Sequence, residues 1–386
     1  MVLGLLLASR GIKVTVIESH KDFEREYRGE VLMPRFIQMM TQIGLFEHLQ
    51  SYPHLKLKNF EFFFKDRILA RVSLSQLCQE APCALWMPQP ILLNALLDKA
   101  KEYPNFTMMF GVVVKDLLRE NGKIVGVMAE KEGKPLEIRS SVTVGADGRF
   151  SIVRKAGNFK FDYEHYDFDL IWFTVKHPLD YKNTVRAFFS SHYRYLILPK
   201  YPDLVQCGLL VEKGKFPQLR ARGIETFRKE LLEAHPVMKE FAQELKDFSP
   251  FSVLQARVSY VEKWARDGCL LIGDAAHTCS PAGAIGVSVA VGTAIVAADV
   301  LIEAFTKKDF SERMLSEVQR RRAEDVKKIQ RQQSRFTRIL GLFHPYLNWI
   351  SVAAILSVAK TGILKRGLRR IALMDEPLPI NLSLHF

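Results

Sequence analysis

Cysteine is scarce in this chain of 386 residues. Its five cysteines, Cys78, Cys83, Cys207, Cys269 and Cys279, are odd in number and show no CxxC spacing. That excludes a fully paired disulfide framework and a zinc ribbon, and it predicts reduced thiols in a cytoplasmic compartment. The first residues are apolar but lack a basic leader region, so a secretory signal is not expected. The apolar run at residues 347–359 is 13 residues long, short of the roughly 18 that argue for a membrane span. Internal repeats and low-complexity segments are missing, which argues against solenoids and disordered linkers. Basic residues are dispersed until the C-terminal third and no nucleic-acid motif is present. The net charge of +13 therefore argues for an anionic ligand or a membrane surface rather than for nucleic acid. The hydrophobic fraction of 48% and charged fraction of 25% are those of a folded protein large enough for two subdomains.

One more absence organises the reading. The opening stretch "MVLGLLLASRGIKVTVIESH" has the pattern of a buried helix, a glycine stop at Gly11 and a β-branched strand ending in Glu18. That is the second half of a Rossmann-type dinucleotide unit, in which an acid at the strand end hydrogen-bonds a ribose hydroxyl. The glycine-rich turn should lie about 20 residues before that acid, at or before Met1. The reading predicts a missing first strand and GxGxxG turn, encoded roughly 15 residues or more upstream.

Two further stretches carry chemistry. In "SSVTVGADGRFSIVRKAG" a strand at residues 142–144 delivers Gly145, Ala146, Asp147 and Gly148 into a turn, with Arg149 and Arg154 close in sequence. Small residues there let backbone approach a ligand, and Asp147 is a candidate for pyrophosphate or nicotinamide-nucleotide binding. In "LLIGDAAHTCSPAGAIGVSVAVGTA" a strand at residues 270–272 ends at Asp274, where open α/β sheets bind ligands. Pro281, Gly283, Ala284, Ile285 and Gly286 then form a loop into a long apolar helix. The N-terminus of that helix suits an anionic ring or phosphate. Asn121-Gly122 between strand-like runs predicts a hairpin.

In this order, an acid-tipped strand, then GADG, then GDAAH-x3-P-x-G-x-x-G, the chain resembles the flavoprotein monooxygenases related to para-hydroxybenzoate hydroxylase, from residue 1 to about 330. The resemblance implies FAD as cofactor and NAD(P)H as co-substrate. It implies hydroxylation, with oxygen, of an aromatic or lipophilic small molecule. It nominates Arg28 in "YRGEVL", Gln89 in "PQPILLNAL" and Val113 in "FGVVVKDL" as further cofactor contacts, and Asp274 as the ribityl ligand. His277 and Cys279, although within the motif, are expected to be structural. The family usually has Gly, Asn and Asp where this chain has Ala284, Ser288 and Thr293.

The expected fold class is α/β: a Rossmann-like FAD-binding domain lacking its first strand, an interposed β-sheet substrate domain and a helical C-terminal tail. The flavin domain should combine residues 1–75, 88–160 and 260–330. The substrate domain should comprise 160–260 with part of 55–88, and residues 331–386 the basic and apolar tail. Trp172 and its aromatic neighbours are expected to pack a core rather than line a cavity. In the tail, Lys365, Arg366, Arg369 and Arg370 interleaved with Leu and Ile suit a peripheral membrane helix as well as a packed one. Two other readings stay open. One is a truncated or degenerate member with weak or no flavin binding. The other is a related flavin reductase or halogenase, although the extra Trp-rich motif usual in halogenases is not found. No catalytic side chain and no metal ligand is nominated, because the cofactor carries the chemistry.

Overall fold

The computed structural model describes residues 1–24, 31–64, 67–176, 183–189, 194–234, 239–281, 283–340, 366–367, 369–370, 373, 381 and 384–386. The first helix, Val2–Ala8, is buried along its whole length. It lies directly on the first strand, Val14–Glu18, because Gly4 faces that strand. A Cβ on Gly4 would stand 3.0 Å from Val16 Cγ2 and 3.3 Å from the Phe106 ring. Gly11, at φ +76°, turns the chain from helix to strand. The strand pairs in parallel with Phe106–Phe110, with Glu18 opposite Phe110.

A second parallel pair joins Thr143–Gly145 to Cys269–Leu271. Among the described residues the first pair stands as a two-stranded ladder, and the second is extended to three strands by Ala265–Arg266, which pairs antiparallel with Cys269–Leu271. Helix Gly286–Lys307 packs against the first helix, against Pro34–Gln42 and against Glu317–Leu340. By length and composition this helix could cross a membrane, but 72% of its most apolar window is buried inside the fold. It is a core helix, and its Val, Ile and Ala side chains form the centre of the main hydrophobic cluster. The predicted hairpin is present. Val112–Glu120 pairs with Lys123–Lys131, and Asn121 (φ +49°) and Gly122 (φ +80°) take the two positive φ values of a type I′ turn.

The second layer is a seven-stranded sheet. Its order is Ser252–Val261, Phe161–Lys176, Leu204–Glu212, Arg194–Lys200, Thr184–Phe189, Asn59–Phe64 and Arg67–Ser73. The pairings are antiparallel except Thr184–Phe189 with Asn59–Phe64, which is parallel. Buried Glu61 holds that junction by accepting from Arg186 Nε at 2.9 Å and Arg71 Nε at 2.8 Å. Alternation divides the two faces. Ile171, Phe173, Ile197, Cys207 and Leu209 pack under Phe227, Phe248 and Phe251 from the segment that follows. Leu170, Trp172, Leu196 and Leu198 face the opposite way and join the main core. Trp172 lies over Gly208, where a Cβ would meet the indole at 2.6 Å, so glycine alone leaves the ring its place.

Candidate active site

The parallel pairing of Thr143–Gly145 with Cys269–Leu271 brings the GADG and GDAAH loops together at the carboxyl ends of adjacent strands. The Ile272 N–H donates to Gly145 O at 3.0 Å and extends the register into the second loop. Asp274, 37% exposed, accepts from Arg149 Nε at 3.3 Å. Arg154 is buried and clamps both loops. Its Nη1 donates to Ala275 O at 2.9 Å, its Nη2 donates to Arg149 O, and its guanidinium lies 4.3 Å from the Phe161 ring centroid. Asp147 accepts from Ser151 Oγ and, at 3.1 Å, from the Val153 N–H. Its carboxylate therefore closes the turn, as expected of a turn residue, and supports the start of helix Ile152–Ala156, whose N-cap is Ser151.

Glu18 stands at the carboxyl end of its strand, and Oε1 accepts from the His20 N–H at 3.0 Å and from Ser19 Oγ at 3.2 Å. His20 Nδ1 is 2.7 Å from the same oxygen. The start of the first helix lies beside this carboxylate. Burial lowers the proton affinity of the Met1 amino group, and the Glu18 charge partly offsets that effect. The Gly111 N–H donates to His20 O at 2.9 Å, and Val113 lies exposed two residues on, in the strand that follows. Gln89 is the first residue of helix Gln89–Ala100, half-buried, on a helix that packs against the first one. Arg28 lies outside the described residues.

The loop into the long helix has an unusual backbone. Gly283 (φ +82°) is followed by Ala284 at φ +53°, a left-handed alanine. The Ala284 N–H donates to Pro281 O at 3.2 Å, Ile285 is the buried N-cap, and Gly286 opens the helix. No side chain caps this N-terminus and its first turn carries no acid. Its N–H groups and positive dipole end are left for an anionic ligand. Helix Glu317–Leu340 braces the loop from behind. Gln333 Nε2 donates to Ser280 O at 2.9 Å while its Oε1 accepts the Ser280 N–H at 3.1 Å, and Gln330 Nε2 donates to Thr278 O at 2.9 Å.

His277 and Cys279 face inward. His277 Nε2 is 3.0 Å from Thr293 Oγ1, and that hydroxyl donates to Val289 O at 3.1 Å. The imidazole must then carry its proton on Nε2. Burial, reinforced by the Arg322 charge, lowers its pKa to about 3, so it is neutral. Burial raises the Cys279 thiol to about 12, so it is no thiolate nucleophile.

Sequence reasoning set Arg154 beside the GADG turn but missed Gln330, Gln333 and Arg322 as supports of the site. Arg322 and Gln333 did carry a signal. They fall in phase with Val318, Val326 and Ile329 on one stripe of their helix, and all five are buried.

The arrangement fits FAD. A carboxylate at one strand end suits a ribose, Asp274 suits a polyol chain, and an uncapped helix start behind a left-handed turn suits a planar anionic ring. The model of the FAD binding domain family matches residues 1–332. A 6-methylpretetramide 4-monooxygenase from Streptomyces rimosus is 32% identical over 386 residues, covering 100% of this chain and 92% of the relative. A para-nitrophenol 4-monooxygenase from Pseudomonas sp. is 23% identical, over 82% of this chain and 78% of that protein. The crystal structure of p-nitrophenol 4-monooxygenase from Pseudomonas putida superposes with a TM-score of 0.80 at 17% identity, over 97% of this chain and 96% of the other.

Proposed function

The chain belongs to the FAD binding domain family of flavin-dependent monooxygenases, and from that premise we propose that it hydroxylates a ring position of a fused or substituted aromatic substrate held against the seven-stranded sheet. When bound, FAD supplies the redox chemistry, taking electrons from NAD(P)H and activating oxygen. The protein supplies orientation, charge and exclusion of water. Glu18 holds the ribose, with Val113 flanking the adenine. Asp274, oriented by Arg149, would hold the ribityl chain together with Gln89. Pro281, Gly283, Ala284, Ile285 and Gly286 would hold the flavin ring, with the start of the following helix supplying N–H groups to it. Asp147 acts through the shape of its turn.

The observation that carries this reading is the pairing that sets GADG beside GDAAH, with Arg149 and Arg154 joining the two loops. The substrate side is supported by the sheet face that meets the flavin domain. Leu170, Trp172, Leu196 and Leu198 make it apolar, and Arg194, in phase with the two leucines on their strand, adds a buried cation suited to a phenolate oxygen. Burial lowers the Arg194 pKa to about 10, which leaves it charged at neutral pH.

The test is direct. The purified protein should retain FAD, seen in its visible absorbance, and should consume oxygen with NADPH and an aromatic substrate, 6-methylpretetramide being the first to try. Asp274→Ala removes a charge-assisted hydrogen bond of about 1.5–3 kcal/mol, so FAD should bind roughly tenfold or more weakly. Equal FAD affinity in the variant refutes the assignment of Asp274.

A further inference from the structure

Behind the flavin-facing turn of the long helix lies a buried cation that the fold compensates only partly. Arg322 is 3% exposed. Its Nη1 donates to Asp325 Oδ2 at 2.8 Å, but Asp325 is 43% exposed and its charge is shared with water. Arg322 Nε has no hydrogen-bond partner. The guanidinium presses on the long helix at Gly292, where a Cβ would stand 3.2 Å from Nη2. Its field reaches His277 and Cys279, and it opposes Arg35, a second buried cation on helix Pro34–Gln42. The next residue along the helix, Thr293, takes up His277 Nε2 with a neutral hydroxyl. A carboxylate could stand at that position, yet none does.

Gly292 lies six residues into the helix, so the charge sits roughly 9 Å along the axis from the helix start at 1.5 Å per residue. Its field adds to the positive end of the helix dipole.

We propose that Arg322 is an electrostatic positioning residue for the cofactor: as a partly compensated buried cation behind the first turns of helix Gly286–Lys307, it raises the reduction potential of the bound flavin by favouring the negative charge gained on reduction. Thr293 and Asp325 set how much of that charge is felt. The inference rests on the FAD placement of the preceding section.

The reduction potential of the bound flavin, measured by dye-coupled titration, tests it through sign. The flavin lies beyond the helix start, so the charge stands farther than that from it; at roughly 12 Å and an effective dielectric near 20 it supports changes of roughly threefold to tenfold in the reduction equilibrium. For two electrons that is on the order of 15–30 mV. Arg322→Gln should lower the potential. Thr293→Asp, which introduces a counter-charge while leaving Arg322 in place, should also lower it. Asp325→Asn, at a half-exposed position, should raise it. A purely structural Arg322 predicts lost folding stability in Arg322→Gln but no ordered pattern across the three. Unchanged potentials in Thr293→Asp and Asp325→Asn overturn the proposal even if Arg322→Gln fails to fold. Wild-type protein that holds no FAD overturns instead the placement of the flavin, and the proposal with it.

Discussion

Ala284 occupies a left-handed conformation, φ +53°, directly before the N-cap of the long helix. A Cβ in that region costs roughly 1–2 kcal/mol. Glycine there would remove the strain, against about 0.4–1 kcal/mol of extra freedom gained by the unfolded chain. Ala284→Gly should therefore leave the fold slightly more stable, by about 0.5–1 kcal/mol, and should let FAD approach the loop backbone more closely. Urea midpoints of the FAD-free and FAD-loaded protein measure both effects. A midpoint that falls in both forms shows that the left-handed strain is not felt. Substituting Ala284 was legible as a departure from the family pattern; that the position is left-handed became visible only in the backbone.

At the scale of elements, the C-terminal helix Glu317–Leu340 is a brace for the cofactor loop. Gln333 binds both the N–H and the carbonyl of Ser280. Both hydrogen bonds are buried, so Gln333→Leu, which removes them, should cost about 1 kcal/mol for each. The expected result is a lowered thermal midpoint together with faster loss of FAD during gel filtration. If only the melting midpoint falls and FAD release is unchanged, the brace serves the fold and not the loop. Helical phase showed Gln333 on the buried stripe beside Val326 and Ile329. Which loop it meets depends on how two segments 53 residues apart pack together, and no local pattern encodes that.

For the whole molecule, acid stability should carry the imprint of His277. Its folded pKa is lowered from 6.5 to about 3 by burial and by Arg322. The unfolded chain therefore binds a proton that the folded chain refuses between those values. Stability is fully present above pH 6.5 and falls as pH drops through this window, by up to about 1.4 kcal/mol per pH unit. Carboxylates add to the same slope, so the comparison with His277→Gln isolates the histidine. The wild type should lose stability more steeply than the variant from pH 6.5 to 4 in urea titrations. Parallel curves would show that the imidazole is reached by water in the folded state.

The sequence by itself determined the acid-tipped first strand, the two small-residue loops, the long apolar helix and the Asn121-Gly122 hairpin, because each rests on local periodicity or on a residue with special backbone freedom. It also carried the resemblance that points to FAD. Only the tertiary structure decided that Arg154 ties GADG to GDAAH and that Asn59–Phe64 pairs with Thr184–Phe189 in the large sheet. It also decided that Arg322 packs against the long helix at Gly292. Those facts depend on which distant segments meet, and a partner dozens of residues away leaves no trace in the spacing around a side chain.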